Sequence, residues 1–355
     1  MFNLFSSTNK KQSADISSPT SPSSSTIEIM GGLGNQLFQI YTLLAYSLQT
    51  KTPFYFPAQP IKVGARKTTY WHTPLLKNLK KFLKDSNKNK NKIVFTYQEP
   101  HFHYQPLPPT YEKNLHFVGY FQSYKYLQPV KLAINKLLDL AGTQRPYLKM
   151  YNLYAVDPDP LTPPGLDYTR PNTVALHFRV GDYQQLPQYH PLLPLAYYEN
   201  ALIQLCADTQ KNDWRVLYFS ETADQVYVEE KIRGLQAHPR LQNLTFTPIS
   251  SNLHDWEQLI IMTLCPHHII ANSTFSWWGA YLHEHEHGHG HAEQTRPRTP
   301  PAALGPAAAL GPAALGPAAA LHEHKVYYPA QWFGPALQDT DTQDLFPSTW
   351  QKVAF

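Results

Sequence analysis

The chain has 355 residues, more than one ordinary domain and fewer than three. With 42% hydrophobic and 16% charged residues the composition is globular, and a net charge of +4 lacks the dense basic clustering of nucleic-acid modules. Two cysteines, Cys206 and Cys265, exclude a disulfide scaffold, and both are expected as buried thiols. The 32 prolines and 17 histidines exceed what a compact core asks for.

In chain order, residues 1–25 are Ser/Thr/Pro-rich without an apolar signal core, and are expected to be a disordered leader. Residues 26–30 alternate like a strand and run into Gly31-Gly32-Leu33-Gly34-Asn35-Gln36. Beyond that loop, Leu37, Ile40, Tyr41, Leu44 and Leu48 fall at helical spacing and predict one apolar stripe. A second strand-like run covers 53–57. Strand, glycine loop, helix, strand is the layout that presents backbone N–H groups at a helix N-terminus. The lysine-rich stretch 77–92 reads as a solvated loop, and 157–171, with five prolines, as an interdomain linker.

Past the linker, strands are predicted at 173–178, 215–220, 244–247, 267–271 and 325–329, with helical stretches between them. The clearest helix is 253–264, where Leu253, Trp256, Ile260 and Leu264 share a face. Such alternation implies a doubly wound parallel sheet. The expected class is α/β, with two Rossmann-like domains at 26–156 and 172–355 and a cleft between them. Residues 283–324 interrupt the second domain with alternating histidines and a Leu-Gly-Pro-Ala-Ala repeat, which predicts a low-complexity loop insert.

Three constellations carry chemistry. The glycine loop is not a dinucleotide fingerprint, because Leu37 stands where the third glycine belongs and no acid follows the second strand. Its Gly32, Gly34, Asn35 and Gln36 suggest instead the close approach of a ligand. At the end of the strand 173–178, His177 and Arg179 share a face and form a plausible anion grip. Asp182 there either accepts from a base or sugar or orients Arg179. The third group, Asn272-Ser273-Thr274-Phe275-Ser276, follows an apolar strand and opens a helix, with more hydroxyls than one cap needs. The adjoining Trp277 and Trp278 are expected in the core. Asp157-Pro158-Asp159 and Asp339-Thr340-Asp341 match a metal-binding pattern but follow no apolar strand, so neither is taken as a metal site.

Together these motifs resemble the inverting α-1,2-fucosyltransferases, glycosyltransferase family eleven. Gly31–Gln39, Gly119-Tyr120-Phe121-Gln122-Ser123, His177–Tyr183, Phe219-Ser220-Glu221, Ile270–Ala280 and Tyr328–Phe333 carry the resemblance. It implies a GT-B-type architecture, GDP-β-L-fucose as donor, a galactose-terminated glycan as acceptor, and no cofactor or metal. It also implies Arg179 on the donor pyrophosphate, with His177 and Asp182 in the donor site. Asn272, Ser273, Thr274, Phe275 and Ser276 would line the nucleotide pocket, and the glycine loop would face the donor from the first domain. Val180 replaces an arginine found in many members, and Glu221-Thr222 replaces a frequent acidic pair. The catalytic base is not identified. A peptide O-fucosyltransferase and an inactive sugar-nucleotide binder are the alternatives. No nucleic-acid partner and no integral membrane span are expected, since no run approaches the roughly 18 apolar residues of a spanning helix. A soluble, cytoplasmic setting is therefore expected ahead of a Golgi-associated one.

Overall fold

The computed structural model describes residues 23–59, 61, 67–85, 94–109, 114–151, 153, 172–250, 252–283 and 324–355. The leader up to residue 22, the linker 157–171 and the insert from 284 to 323 lie outside the described residues.

The chain opens with β1 (Ser25–Ile27) and α1 (Leu33–Thr50). The predicted stripe on α1 is too narrow: every residue from Leu33 to Ser47 except Asn35 is buried. A helix apolar all round is an interior helix. Leu48, assigned to the stripe, is 48% exposed on the last turn. Of the run 53–57, β2 (Phe56–Pro57) is the strand portion, paired in parallel with β3 (Leu83–Lys84). The front of the lysine-rich stretch is folded rather than a plain loop, because Leu79 is buried under a 3₁₀ turn over Lys77–Phe82. β4 (Val94–Gln98) and β5 (Asn114–Val118) then join β1 in a parallel sheet of order β1-β5-β4. The helices α2 (Lys131–Leu138) and α3 (Leu140–Tyr151) follow.

The second sheet takes β6 (Thr173–His177), β7 (Arg215–Phe219), β8 (Thr245–Pro248), β9 (His267–Ile269), β10 (Lys325–Pro329) and β11 (Gln351–Val353) in the order β11-β10-β9-β6-β7-β8, every pair parallel. Between the strands run α4 (Leu195–Thr209), α5 (Gln225–Ala237), α6 (Asp255–Thr263) and α7 (Thr274–His283). This is the α/β class expected, with parallel sheets of three and six strands beside the two-stranded β2-β3 pair. The order reverses between β6 and β9. Crossovers therefore run to opposite sides there, which opens a crevice at the carboxyl ends of those two strands.

Strand alternation sorts the residues of β6. Val174, Leu176 and the following Phe178 enter one core cluster with α4 and α5, while Ala175 enters the other. That second cluster runs from Ile27, Leu37 and Phe38 through Trp277 and Trp278 to Leu217 and Phe219, so the two sheets share one core. The junction is α1 against α7: Phe38 lies 4.4 Å from Trp277 and Tyr41 lies 4.6 Å from Trp278, between ring centroids. Both tryptophans are fully buried, as expected of core residues.

Two details differ from the sequence reading. Cys265 is buried but Cys206 is only partly so. His283 and His324, assigned to the insert, belong to the folded structure: His283 Nδ1 lies 2.8 Å from the Thr263 carbonyl, and His324 Nε2 lies 3.0 Å from His268 Nδ1.

Candidate functional site

The strands β6 and β9 bring two of the three constellations to the crevice. His177 closes β6, and Asn272–Phe275 connect β9 to α7. Their parity with Ala175 turns His177 and Arg179 toward the face that carries α7 and the first sheet.

Arg179 is held by carboxylates on both sides, Nη1 bonding Glu221 and Nη2 bonding Asp182, with its guanidinium 4.7 Å from the Tyr183 ring. Of the two readings of Asp182, the structure shows the orienting one. The arginine side chain is 11% exposed, while those of Asp182 and Glu221 are about half exposed, at 51% and 47%. The carboxylates can thus swing into water while the guanidinium stays in place. Asp224, buried, accepts the Gly181 N–H at 2.9 Å and holds the turn after β6; burial pushes its carboxyl above the usual range.

His177 is 7% exposed, and burial, with Arg179 adding to it, lowers its pKa from 6.5 to about 3. It is therefore neutral at pH 7, and the side-by-side pair of cations read from the sequence is one cation and one neutral ring. Its Nδ1 is buried without a hydrogen-bond partner among the described residues, and its ring lies 5.4 Å from that of Phe275.

The glycine loop reaches the same place from the first sheet, and the reason for Gly34 differs from the one expected. A Cβ on Gly34 would lie 2.5 Å from the Thr274 carbonyl carbon and 2.7 Å from the Phe275 nitrogen. What approaches this glycine is the first turn of α7. Asn35 Oδ1 accepts the Thr274 hydroxyl at 2.9 Å and the Gln122 amide at 3.0 Å, tying three segments together. Gln36 is fully buried and donates to the carbonyls of Gly31 (2.9 Å) and Thr68 (2.7 Å), so it braces the loop. Gly32 is partly exposed at the α1 N-cap. Neither α1 nor α7 carries an acidic residue in its first turn, so the two positive helix ends meet with no first-turn carboxylate of their own.

The Asn272–Ser276 cluster divides. Asn272 donates to the Pro191 (3.0 Å) and Trp332 (3.3 Å) carbonyls, and its Oδ1 is buried without a partner among the described residues. Ser273 Oγ accepts the Phe275 N–H at 3.3 Å, a cap of α7. Ser276 is fully buried and its hydroxyl faces the Ala271 and Ser273 carbonyls at 3.5 and 3.3 Å. It stabilises the turn and does not line the crevice. Thr274 and Phe275 are the partly exposed members.

Comparison with known proteins finds similarity over the part of the chain that builds this crevice. The model of "Glycosyl transferase family 11" matches residues 166–290, which span β6, β9 and both loops. Over this stretch the chain is similar to glycosyl transferase family 11. Among curated relatives, the O-antigen biosynthesis glycosyltransferase WbnK of Escherichia coli is 36% identical over 115 residues, 32% of this chain and 35% of WbnK. An Escherichia coli alpha-1,2-colitosyltransferase is 31% identical over 114 residues, 31% of this chain and 36% of the relative. The matches thus span about a third of each relative. Among solved structures, an Arabidopsis thaliana FUT1 variant with GDP superposes at TM-score 0.39 and 14% identity, covering 75% of this chain and 70% of that one. NodZ alpha-1,6-fucosyltransferase co-crystallised with GDP does so at 0.43 and 11%, covering 74% and 93%. Likenesses of that size carry no inference about this chain.

Sequence reasoning leaves several residues of this crevice without a role. Glu221 was visible as a departure from the Phe-Ser-acid-acid pattern, and Tyr183 closed a quoted motif. His190, stacked on Tyr183 at 4.6 Å, stands in no motif, and Asp224 is defined by Gly181, 43 positions away. Asp341 of the set-aside Asp-x-Asp pattern caps the Gln343 N–H at 2.9 Å. Among the described residues, no group of three or more His, Cys, Asp or Glu is placed to hold a metal ion. No helix of the described residues is long and apolar enough to cross a membrane.

Proposed function

We propose that this chain transfers L-fucose from GDP-β-L-fucose to the 2-hydroxyl of a galactoside glycan, with inversion at the anomeric carbon and without a required metal. The observation that carries the reading is the convergence of Arg179 and two helix N-termini without first-turn carboxylates on the crevice where the strand order reverses. A nucleoside diphosphate needs that combination, because its negative charge grows on the β-phosphate as the sugar leaves.

In this reading, residues 172–355 bind the donor and 26–156 face the acceptor. The diphosphate takes the place of one or both carboxylates on Arg179. The α7 N-terminus, with Ser273, Thr274 and Phe275, lies along the nucleotide, and His177 is a neutral hydrogen-bonding partner beside Arg179. Arg179 then stabilises the leaving GDP, an effect typically worth about 3–4 kcal/mol of barrier for one such donor. A second reading has a colitose donor in the same crevice, favoured by the similarity to the colitosyltransferase. Turnover of GDP-fucose and GDP-colitose against a panel of β-galactosides, followed by linkage analysis, tests both. Formation of an α-1,2-linked fucoside supports the first reading, and turnover of GDP-colitose alone replaces it with the second. GDP binding without any transfer or hydrolysis removes both.

A further inference from the structure

The fucosyl-transfer reading leaves one chemical requirement unmet by the residues around Arg179. An attacking hydroxyl has to lose its proton, and the carboxylates nearest the arginine are already engaged. Asp182 and Glu221 bond Arg179, and Asp224 is 4% exposed and accepts the Gly181 N–H. Across the crevice, the first sheet is parallel throughout, so the carboxyl ends of β1, β5 and β4 lie on the same edge. Glu28, just past β1, faces His116, whose pKa burial lowers against the opposing charge of Glu28. The remaining acid at that edge is Glu99, the residue after β4.

Glu99 is built into the edge. Its Oε2 accepts the Tyr120 N–H at 2.7 Å and the Phe121 N–H at 3.0 Å, while Oε1 has no partner among the described residues. The approach depends on Gly119, whose φ is +156°. A Cβ there would lie 2.4 Å from Glu99 Cβ and 2.5 Å from Oε2. One residue beyond Phe121, Gln122 donates to Asn35 Oδ1, the atom that also accepts the Thr274 hydroxyl. The Gly119-Tyr120-Phe121-Gln122 segment thus links the carboxylate to the junction of the glycine loop with α7.

We propose that Glu99 is the general base of the transfer reaction, and that the Gly119–Gln122 segment exists to hold it toward the crevice. The inference rests on the fucosyl-transfer reading above. In the step, the acceptor hydroxyl gives its proton to Glu99 Oε1 as its oxygen bonds to the anomeric carbon. The bond from that carbon to the β-phosphate oxygen breaks, and GDP leaves with the electron pair. Two backbone N–H groups on Oε2 fix the carboxylate's orientation and leave the other oxygen to work. Burial pushes the carboxyl above its ordinary value, against the pull of the two N–H groups, which makes the carboxylate a stronger base. Tyr97 and Tyr126 are the titratable groups that feel its charge, and burial holds both phenols uncharged in the working range.

The test uses the purified full chain with GDP-fucose and a β-galactoside acceptor. Glu99→Gln is expected to lower kcat by about 10²–10⁴-fold, the usual contribution of a general base, with GDP affinity by calorimetry and the melting temperature unchanged. Sodium azide, a nucleophile with no proton to lose, is expected to restore turnover in this variant by forming α-fucosyl azide, and to add little to the wild type. Glu99→Asp, which keeps the carboxylate, should retain the acid limb of the kcat/KM profile that Glu99→Gln loses. Undiminished kcat in Glu99→Gln, or a loss that azide does not rescue in a folded variant, overturns the base assignment alone. Should Glu99→Gln not fold, a wild-type profile without an acid limb overturns it. A wild type that binds GDP but turns over no GDP-fucose overturns the fucosyl-transfer reading together with it.

Discussion

At the scale of single residues, the crevice stores its charge in a neutralised form. Arg179 is the cation, paired with two half-exposed carboxylates that the donor diphosphate displaces in the proposed reading. Replacing Arg179 with Ala is expected to lower transfer by about 10²–10³-fold, the loss associated with one oxyanion-stabilising donor, while circular dichroism and melting temperature stay near the wild type. Arg179→Lys should not restore it, because an ammonium lacks the two-edged fork that serves Asp182 and Glu221 in turn. Substantial GDP-fucose turnover by Arg179→Ala would remove the role. His177 gives a stability prediction. Its folded pKa is lowered from 6.5 to about 3, so between those values the unfolded chain binds a proton that the folded chain refuses. The stability held above pH 6.5 is therefore lost progressively as the pH falls toward 3. His268, lowered to about 4, acts in the same direction, while the raised carboxyls of Glu99 and Asp224 act against it. Melting temperatures of His177→Gln between pH 7 and 4 should decline less steeply than those of the wild type. Parallel curves would contradict the burial of a neutral ring.

At the scale of elements, the contact between α1 and α7 sets the site. Their first turns touch at Gly34, Asn35, Thr274 and Phe275, and their apolar faces meet through Phe38, Tyr41, Trp277 and Trp278. Gly34→Ala places a methyl against backbone atoms of the α7 turn, which have no rotamer to escape by. Overpacking of this kind is expected to destabilise by about 1–3 kcal/mol and to move α7 away from the crevice. A lowered melting temperature together with a raised KM for the donor checks this. Unchanged values for both would show that the two turns are not in contact. The glycine was legible in the sequence as a point of close approach, but not what approaches it. Thr274 lies 240 positions further on, and no local pattern announces such a pairing. The predicted stripe on α1 failed for the same reason: a helix enclosed from both sides buries its polar Gln36, Gln39 and Thr42 as well as its leucines.

At the scale of the whole molecule, one hydrophobic cluster runs from the three-stranded sheet through α1 and α7 to one face of the six-stranded sheet. The crevice thus lies at the edge of a shared core. The proposed reaction uses charges of the chain alone. Activity is accordingly expected to survive exhaustive treatment with EDTA, assayed at saturating donor. Loss of activity under chelation and its recovery with Mn²⁺ would overturn the metal-independent mechanism.

Much of this protein was already written in local order. The strand at 325–329 was read to its observed bounds, and the strand at 173–178 to within a residue, since buried parallel strands are short apolar runs closed by turn residues. His177, Arg179 and Asn272–Phe275 were legible because they follow such strands. Three-dimensional packing decided which of these groups remain available. It neutralised His177, paired Arg179 with Glu221 across 42 positions, turned Ser276 inward and brought Glu99 beside Tyr120. Periodicity and composition describe each element's own surface, whereas charge state, exposure and close approach depend on the element packed against it.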